Sequence, residues 1–161
     1  AEKIPDVLFL FVGDGVLRPK IEEIIKADSV TQNAIITGFV GHHEVPGYLA
    51  ACDVLLIQSL HNPDIEFFGS PTKLFEYMGM GKPIIASNVG QQNDIFENEY
   101  NGLLCEQNSP EALAESIIKL YKNPDLASKI AINARKDAVE KHDWKHHVQK
   151  IIDTYYKVIS K

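Results

Sequence analysis

Apolar residues in this chain gather in short continuous runs, and between the runs they recur every three or four positions. Val7-Leu8-Phe9-Leu10-Phe11-Val12 is an unbroken run closed by Gly13. Such a run predicts a strand buried on both faces, as in a parallel sheet. Pro19 then opens a predicted helix from Lys20 to about Ala27, with Leu17, Ile21, Ile24 and Ile25 as its apolar stripe. Ala34-Ile35-Ile36-Thr37 predicts a second strand, stopped by Gly38, and Glu44 to Ala51 a short helix. Asp53-Val54-Leu55-Leu56-Ile57 predicts a third strand.

A polar loop from Gln58 to Ser70 follows. Pro71 introduces a helix over Thr72 to Met80 that ends at Gly81. Pro83 to Ser87 and Gly102 to Cys105 predict a fourth and a fifth strand, with one helical turn over Asn93 to Glu97 between them. Ser109 is placed to cap a helix from Pro110 to Tyr121, which has proline in its first position and acids at Glu111 and Glu115. Two further helices are predicted, Pro124 to Lys141 and Asp143 to Ile159. In the last, Trp144, Val148, Ile151, Ile152, Tyr155 and Ile159 form one stripe, a pattern that ordinarily packs into a core. Strands alternating with helices predict a doubly wound, Rossmann-like α/β fold with a parallel sheet. No linker, repeat or low-complexity segment interrupts the chain, so residues 1–161 read as one domain.

Composition narrows the function. Apolar residues make up 45% of the 161 and charged residues 24%, as in globular proteins. A net charge of -6 argues against general nucleic-acid binding, which needs clustered Lys and Arg. The two cysteines, Cys52 and Cys105, belong to no CxxC pair and read as reduced core thiols. With no N-x-S/T site and no apolar leader in Ala1-Glu2-Lys3-Ile4-Pro5, a reducing, cytoplasmic compartment is expected. Peripheral membrane contact stays open.

In open parallel sheets ligands bind beyond the carboxyl ends of the strands, which directs attention to the loops. The richest stretch runs from Gly69-Ser70-Pro71-Thr72-Lys73 through Glu76. A helix N-terminus leaves backbone N–H groups free and carries positive partial charge, so it suits a phosphate. Ser70 and Thr72 add hydroxyls and Lys73 a charge. Glu76 lies one turn further on, the reach from a diphosphate to its ribose, whose diol a carboxylate can accept. From spacing alone, a capped surface helix with a solvated Lys and Glu is an equal reading.

Ser70-Pro71-Thr72-Lys73-Leu74-Phe75-Glu76-Tyr77-Met78, followed by Gly81-Lys82-Pro83-Ile84-Ile85-Ala86-Ser87, resembles the donor-binding signature of the group 1, or family 4, retaining glycosyltransferases of GT-B architecture. Phe11-Val12-Gly13-Asp14-Gly15, Thr37-Gly38-Phe39-Val40, Tyr48 to Val54, and Asn101-Gly102-Leu103-Leu104 before Ser109-Pro110-Glu111-Ala112-Leu113 resemble further family segments in the same order. The resemblance implies the C-terminal, donor-binding domain of such an enzyme, holding a UDP- or GDP-linked sugar without a cofactor or metal. It implies that Glu76, the second Glu of an E-x7-E motif, contacts the donor ribose. It also implies that Gly69, Ser70, Pro71, Thr72 and Lys73 lie under the diphosphate, and that Phe39 and Val40 present the edge that reads the base.

The chain departs from the family at two places. The first Glu of E-x7-E falls on Phe68, and Glu66 is the nearest carboxylate to take its catalytic, sugar-side place. The family's opening strand and helix, with a Gly-Arg and a Lys near the diphosphate, have no counterpart, and neither does the N-terminal acceptor domain. Two alternatives stay open: a nucleotide-sugar epimerase of the same architecture, and a non-catalytic nucleotide-binding or interaction module. Gly13-Asp14-Gly15 reads as a simple βα turn rather than half a dinucleotide fingerprint. His42-His43-Glu44 and His142 with His146-His147 are candidate metal ligands, but no third ligand of matching spacing joins His142 and His146 on their helix face, so a metal site is disfavoured. The lysines of the final helix read as a solvated face rather than one that meets acidic lipid, and the resemblance implies that this helix reaches toward the absent domain with part of its apolar stripe uncovered.

Overall fold

The computed structural model describes residues 3–59 and 72–160. Their contacts gather into two compact units, Ala1–Cys52 and Asp53–Lys161.

In the first unit, strand β1 (Phe9–Val12) is followed by helix α1 (Arg18–Ala27), a 3₁₀ turn (Thr31–Asn33), strand β2 (Ala34–Gly38) and helix α2 (Val45–Ala51). β1 and β2 pair in parallel, Phe9 opposite Ala34 and Phe11 opposite Ile36. Asn33 fixes the entry to β2: its buried amide donates to the carbonyls of Pro5 (3.3 Å) and Val7 (2.8 Å). The expectation that the Val7–Val12 run is buried on both faces is not met. Leu8, Phe11 and Val12 are exposed, because β1 has a single strand neighbour among the described residues and nothing in its own unit covers these side chains.

The second unit holds strand β3 (Leu55–Ile57), helix α3 (Thr72–Met80), strand β4 (Ile84–Ser87), helix α4 (Gln91–Ile95), strand β5 (Leu103–Cys105) and helices α5 (Pro110–Lys122), α6 (Pro124–Lys141) and α7 (Trp144–Ile159). Its sheet has the order β3-β4-β5 and is parallel throughout. β4 is central and every one of its residues is buried. Ile85, Leu103 and Cys105 pack with Leu120 of α5 and Ile130 of α6. α3 packs against α6 through a face that includes the fully buried Leu74 and Met78.

Local chemistry sets the helix limits. Ser109, Asn123 and Asp143 each accept a hydrogen bond from the backbone N–H three residues on, capping α5, α6 and α7. α3 stops at Gly81, whose φ of +64° suits a residue without a side chain. The apolar stripe of α7 departs from the core packing that its periodicity predicts and agrees with the uncovered face that the family resemblance implies. Trp144 is 80% exposed, and Val148, Ile151, Ile152, Tyr155 and Ile159 are exposed with it, because no described element buries any residue of α7. No described helix is long and apolar enough to cross a membrane.

Among the described residues of this unit, one charged side chain is buried. Asp137 of α6 is 3% exposed, accepts from Asn101 Nδ2 at 2.8 Å, and pairs with Lys141 at 2.6 Å. Burial pushes its carboxyl up, but the Lys141 and Asn101 hydrogen bonds outweigh that and hold it below the usual range. A depressed folded pKa adds stability above the unfolded value and loses it as pH falls through the folded one. Asp137→Asn should therefore cost about 1–3 kcal/mol at neutral pH, because charge-assisted bonds become neutral ones. The gap to wild type should narrow below about pH 4, where the unfolded carboxyl protonates. Urea unfolding at neutral and acid pH checks both the size and the sign.

Candidate functional site

α3 brings part of the predicted donor set together. With Leu74 and Met78 turned inward, Thr72, Lys73 and Glu76 are all exposed. Residues 72 and 76, and 73 and 76, are one turn apart, so the three share one side of the helix. The C-terminal end of α3 is held by Arg135 of α6, whose guanidinium donates to the Gly79 carbonyl. This bond uses one of the carbonyls a helix end leaves unpaired. Glu66, Gly69, Ser70 and Pro71 lie outside the described residues.

In the first unit, Phe39 and Val40 directly follow β2. Phe39 is 86% exposed and Val40 half-buried, after a Gly38 held at φ +73°. In the βα turn after β1, the Gly13 N–H donates to the Gly38 carbonyl at 3.1 Å. Asp14 accepts from the Gly15 N–H (2.8 Å) and from Arg18 (2.9 Å), in that order of influence on a carboxyl lowered from its ordinary pKa.

A polar cluster outside the sequence-predicted site residues lies at the carboxyl edge of the β3-β4-β5 sheet. Register places Ile57 beside Ala86 and Ser87 beside Cys105, so the three strands end together. There the Ser87 hydroxyl donates to Gln58 Oε1 and accepts from the Ser59 backbone N–H, both at 3.1 Å. Gln92 Nε2 donates to Ser59 Oγ at 2.7 Å. Gln58 Nε2 reaches the Cys105 sulfur at 3.8 Å. Burial pushes the Cys105 thiol up, as expected of a core thiol. The Ala-Ser end of the fourth predicted strand was the available signal for Ser87. Gln92 gave none, since a glutamine in a predicted loop reads as solvated.

Among the described residues no group of three or more His, Cys, Asp and Glu comes together in a way that could hold a metal. His142 packs its ring against Phe75 of α3, with centroids 5.4 Å apart. Burial first, then Lys150, lowers its pKa.

The chain matches the glycosyl transferases group 1 family over residues 1–137 and belongs to it. It is 34% identical over 141 residues to 2-deoxystreptamine N-acetyl-D-glucosaminyltransferase of Niallia circulans, a match spanning 88% of this chain and 35% of that protein. Among solved structures it resembles Anabaena Alr3699/HepE in complex with UDP and glucose, with a TM-score of 0.81 and 26% identity over 96% of this chain and 41% of that one. It also shares the fold of the C-terminal domain of the group 1 glycosyl transferase LpcC from Francisella tularensis. There the TM-score is 0.77 and the identity 23%, over 89% of this chain and 73% of that one. The architecture is thus the Rossmann-like C-terminal domain of GT-B glycosyltransferases. The chain spans about a third of the length of the curated relatives it matches.

The turn from β4 into α4 has a backbone requirement of its own. Gly90 sits at φ +54°, ψ -140°, a conformation that a side chain strains. Gly90→Ala should cost about 1–3 kcal/mol in chemical unfolding. An unchanged midpoint would show that the turn relaxes.

Proposed function

We propose that this chain is the donor-binding domain of a retaining glycosyltransferase. Its parent protein would move a glycosyl group from a UDP- or GDP-linked sugar to an acceptor hydroxyl. The observation that carries this reading is the exposed Thr72, Lys73 and Glu76 side of α3, in a chain of the group 1 family. The first-turn N–H groups, the Thr72 hydroxyl and Lys73 suit a diphosphate. Glu76, one turn on, suits the ribose diol. A neighbour that carries UDP and glucose supports a nucleotide-sugar donor. Gly69, Ser70 and Pro71 would complete the diphosphate cradle, Phe39 and Val40 would meet the base, and Glu66 would face the sugar. No cofactor or metal is needed, since helix-end dipoles can stabilise a leaving diphosphate. The reaction compartment in this reading is cytoplasmic. The exposed stripe of α7 would turn toward the acceptor domain of the parent protein.

Glu76→Ala should weaken UDP or GDP binding roughly tenfold or more, the worth of hydrogen bonds to a charged group. Calorimetry on both proteins tests this, and equal affinities would mean that the carboxylate serves no ribose. The variant should unfold as wild type does, because Glu76 is exposed.

The isolated chain should bind nucleotide at about millimolar to tens of micromolar, roughly 4–7 kcal/mol, and should not sustain transfer. Acceptor proximity, about 7–11 kcal/mol of barrier lowering, comes from the facing domain. Incubation with labelled nucleotide sugars and mixed acceptors tests this. Sustained turnover abolished by Glu76→Ala would relocate the chemistry to this chain. UDP release without any acceptor would favour an epimerase. No thermal shift with any nucleotide would favour an interaction module.

A further inference from the structure

A glutamine with 0% exposure needs a physical reason. Gln92 lies in α4, just beyond the carboxyl end of β4. A buried amide is costly unless its polar atoms are bonded. Here the Nε2 group donates to Ser59 Oγ at 2.7 Å, while Oε1 is buried without a hydrogen-bond partner. An apolar side chain of the same volume would fill this space without that cost. The interaction the glutamine does make is therefore the informative one.

Its target is a single point on the backbone. Ser59 is the second residue after β3 and begins the connection to α3. Gln92 holds its hydroxyl, and Ser87 Oγ holds its backbone N–H at 3.1 Å. Ser87, 1% exposed, also donates to Gln58 Oε1. Both residues leaving β3 are thus tied to groups that follow or end β4. The tie lies at the carboxyl edge, where open parallel sheets bind ligands. Displacements of about 1 Å at such an edge can change binding and rate by large factors.

We propose that Gln92 is a positioning residue for donor binding, acting through Ser59 and touching no ligand itself. The proposal rests on the donor-binding reading above. It separates Gln92 from a merely structural core residue, because the Gln92–Ser59 bond should affect nucleotide affinity more than folding.

The experiment measures UDP and GDP binding by calorimetry for the wild-type chain, Glu76→Ala, Gln92→Met, Ser59→Ala, Ser59→Thr and the Gln92→Met/Ser59→Ala double variant. Thermal unfolding is followed in parallel. Gln92→Met keeps the volume and removes the donor, and Ser59→Ala removes the same bond from its other end. Each should weaken binding about three- to tenfold. The double variant should be no weaker than the singles, as expected when two changes remove one interaction. Ser59→Thr, which keeps the hydroxyl, should bind as wild type does. Unfolding midpoints should stay within a few degrees. Wild-type affinity in Gln92→Met, or single losses that multiply in the double variant, would overturn the role of Gln92. The donor reading would stand if Glu76→Ala were still weakened. No binding by the wild-type chain would overturn both readings together. If Gln92→Met does not fold, Ser59→Ala decides alone, and wild-type affinity in it is the overturning result.

Discussion

A buried strand has no water with which to satisfy its peptide groups, and β4 is buried at all four residues. Its N–H and C=O groups must be met by neighbours on both sides, and β3 and β5 supply them in parallel register. That register brings Ile57, Ser87 and Cys105 to one edge. It also decides which residues are polar there. Ser87 cannot reach solvent, so its hydroxyl bonds the two residues that leave β3. The polar cluster at the carboxyl edge follows from the burial of the central strand.

The same logic orients α3. Full burial of Leu74 and Met78 contributes roughly 1.5–3 kcal/mol each, whereas surface Thr, Lys and Glu side chains contribute little to folding. Packing against α6 thus fixes the rotation of the helix and leaves Thr72, Lys73 and Glu76 outward. Arg135 on the Gly79 carbonyl and Gly81 in the left-handed region fix where it ends. The side that carries the candidate chemistry is free of structural duty, so its residues can be chosen for a ligand.

Elements whose limits are set by local chemistry were legible in the sequence. α3 and α6 have the predicted bounds, and Ser109 caps α5 as expected. Features set by cover were not. A continuous apolar run says that a strand avoids water but not how many neighbours it has, so the exposure of Leu8, Phe11 and Val12 was invisible. A helical stripe likewise does not reveal whether anything lies against it, and α7 has no buried residue. Gln92 was illegible for the opposite reason: its role depends on Ser59, 33 positions earlier in the chain. Of the candidate site, Thr72, Lys73 and Glu76 were read from spacing at a helix start. Glu66, Gly69, Ser70 and Pro71 fall outside the described residues.

A net charge of -6 opposes the approach of an anionic donor. Charges more than a Debye length apart, about 8 Å at physiological ionic strength, are largely screened at a protein surface. The total therefore governs long-range approach more than the bound state. At the site itself, a helix start carries roughly half a positive charge in oriented N–H groups that need no counterion, and Lys73 stands in the same turn. Glu76 is the one acid within α3, and a full turn separates it from the helix start, which spares a diphosphate its direct repulsion while leaving a ribose within reach. Reversing the order of Lys73 and Glu76 along α3 would set the carboxylate against the phosphates. Their order is what makes one exposed side of α3 chemically coherent for a nucleotide diphosphate despite the sign of the whole.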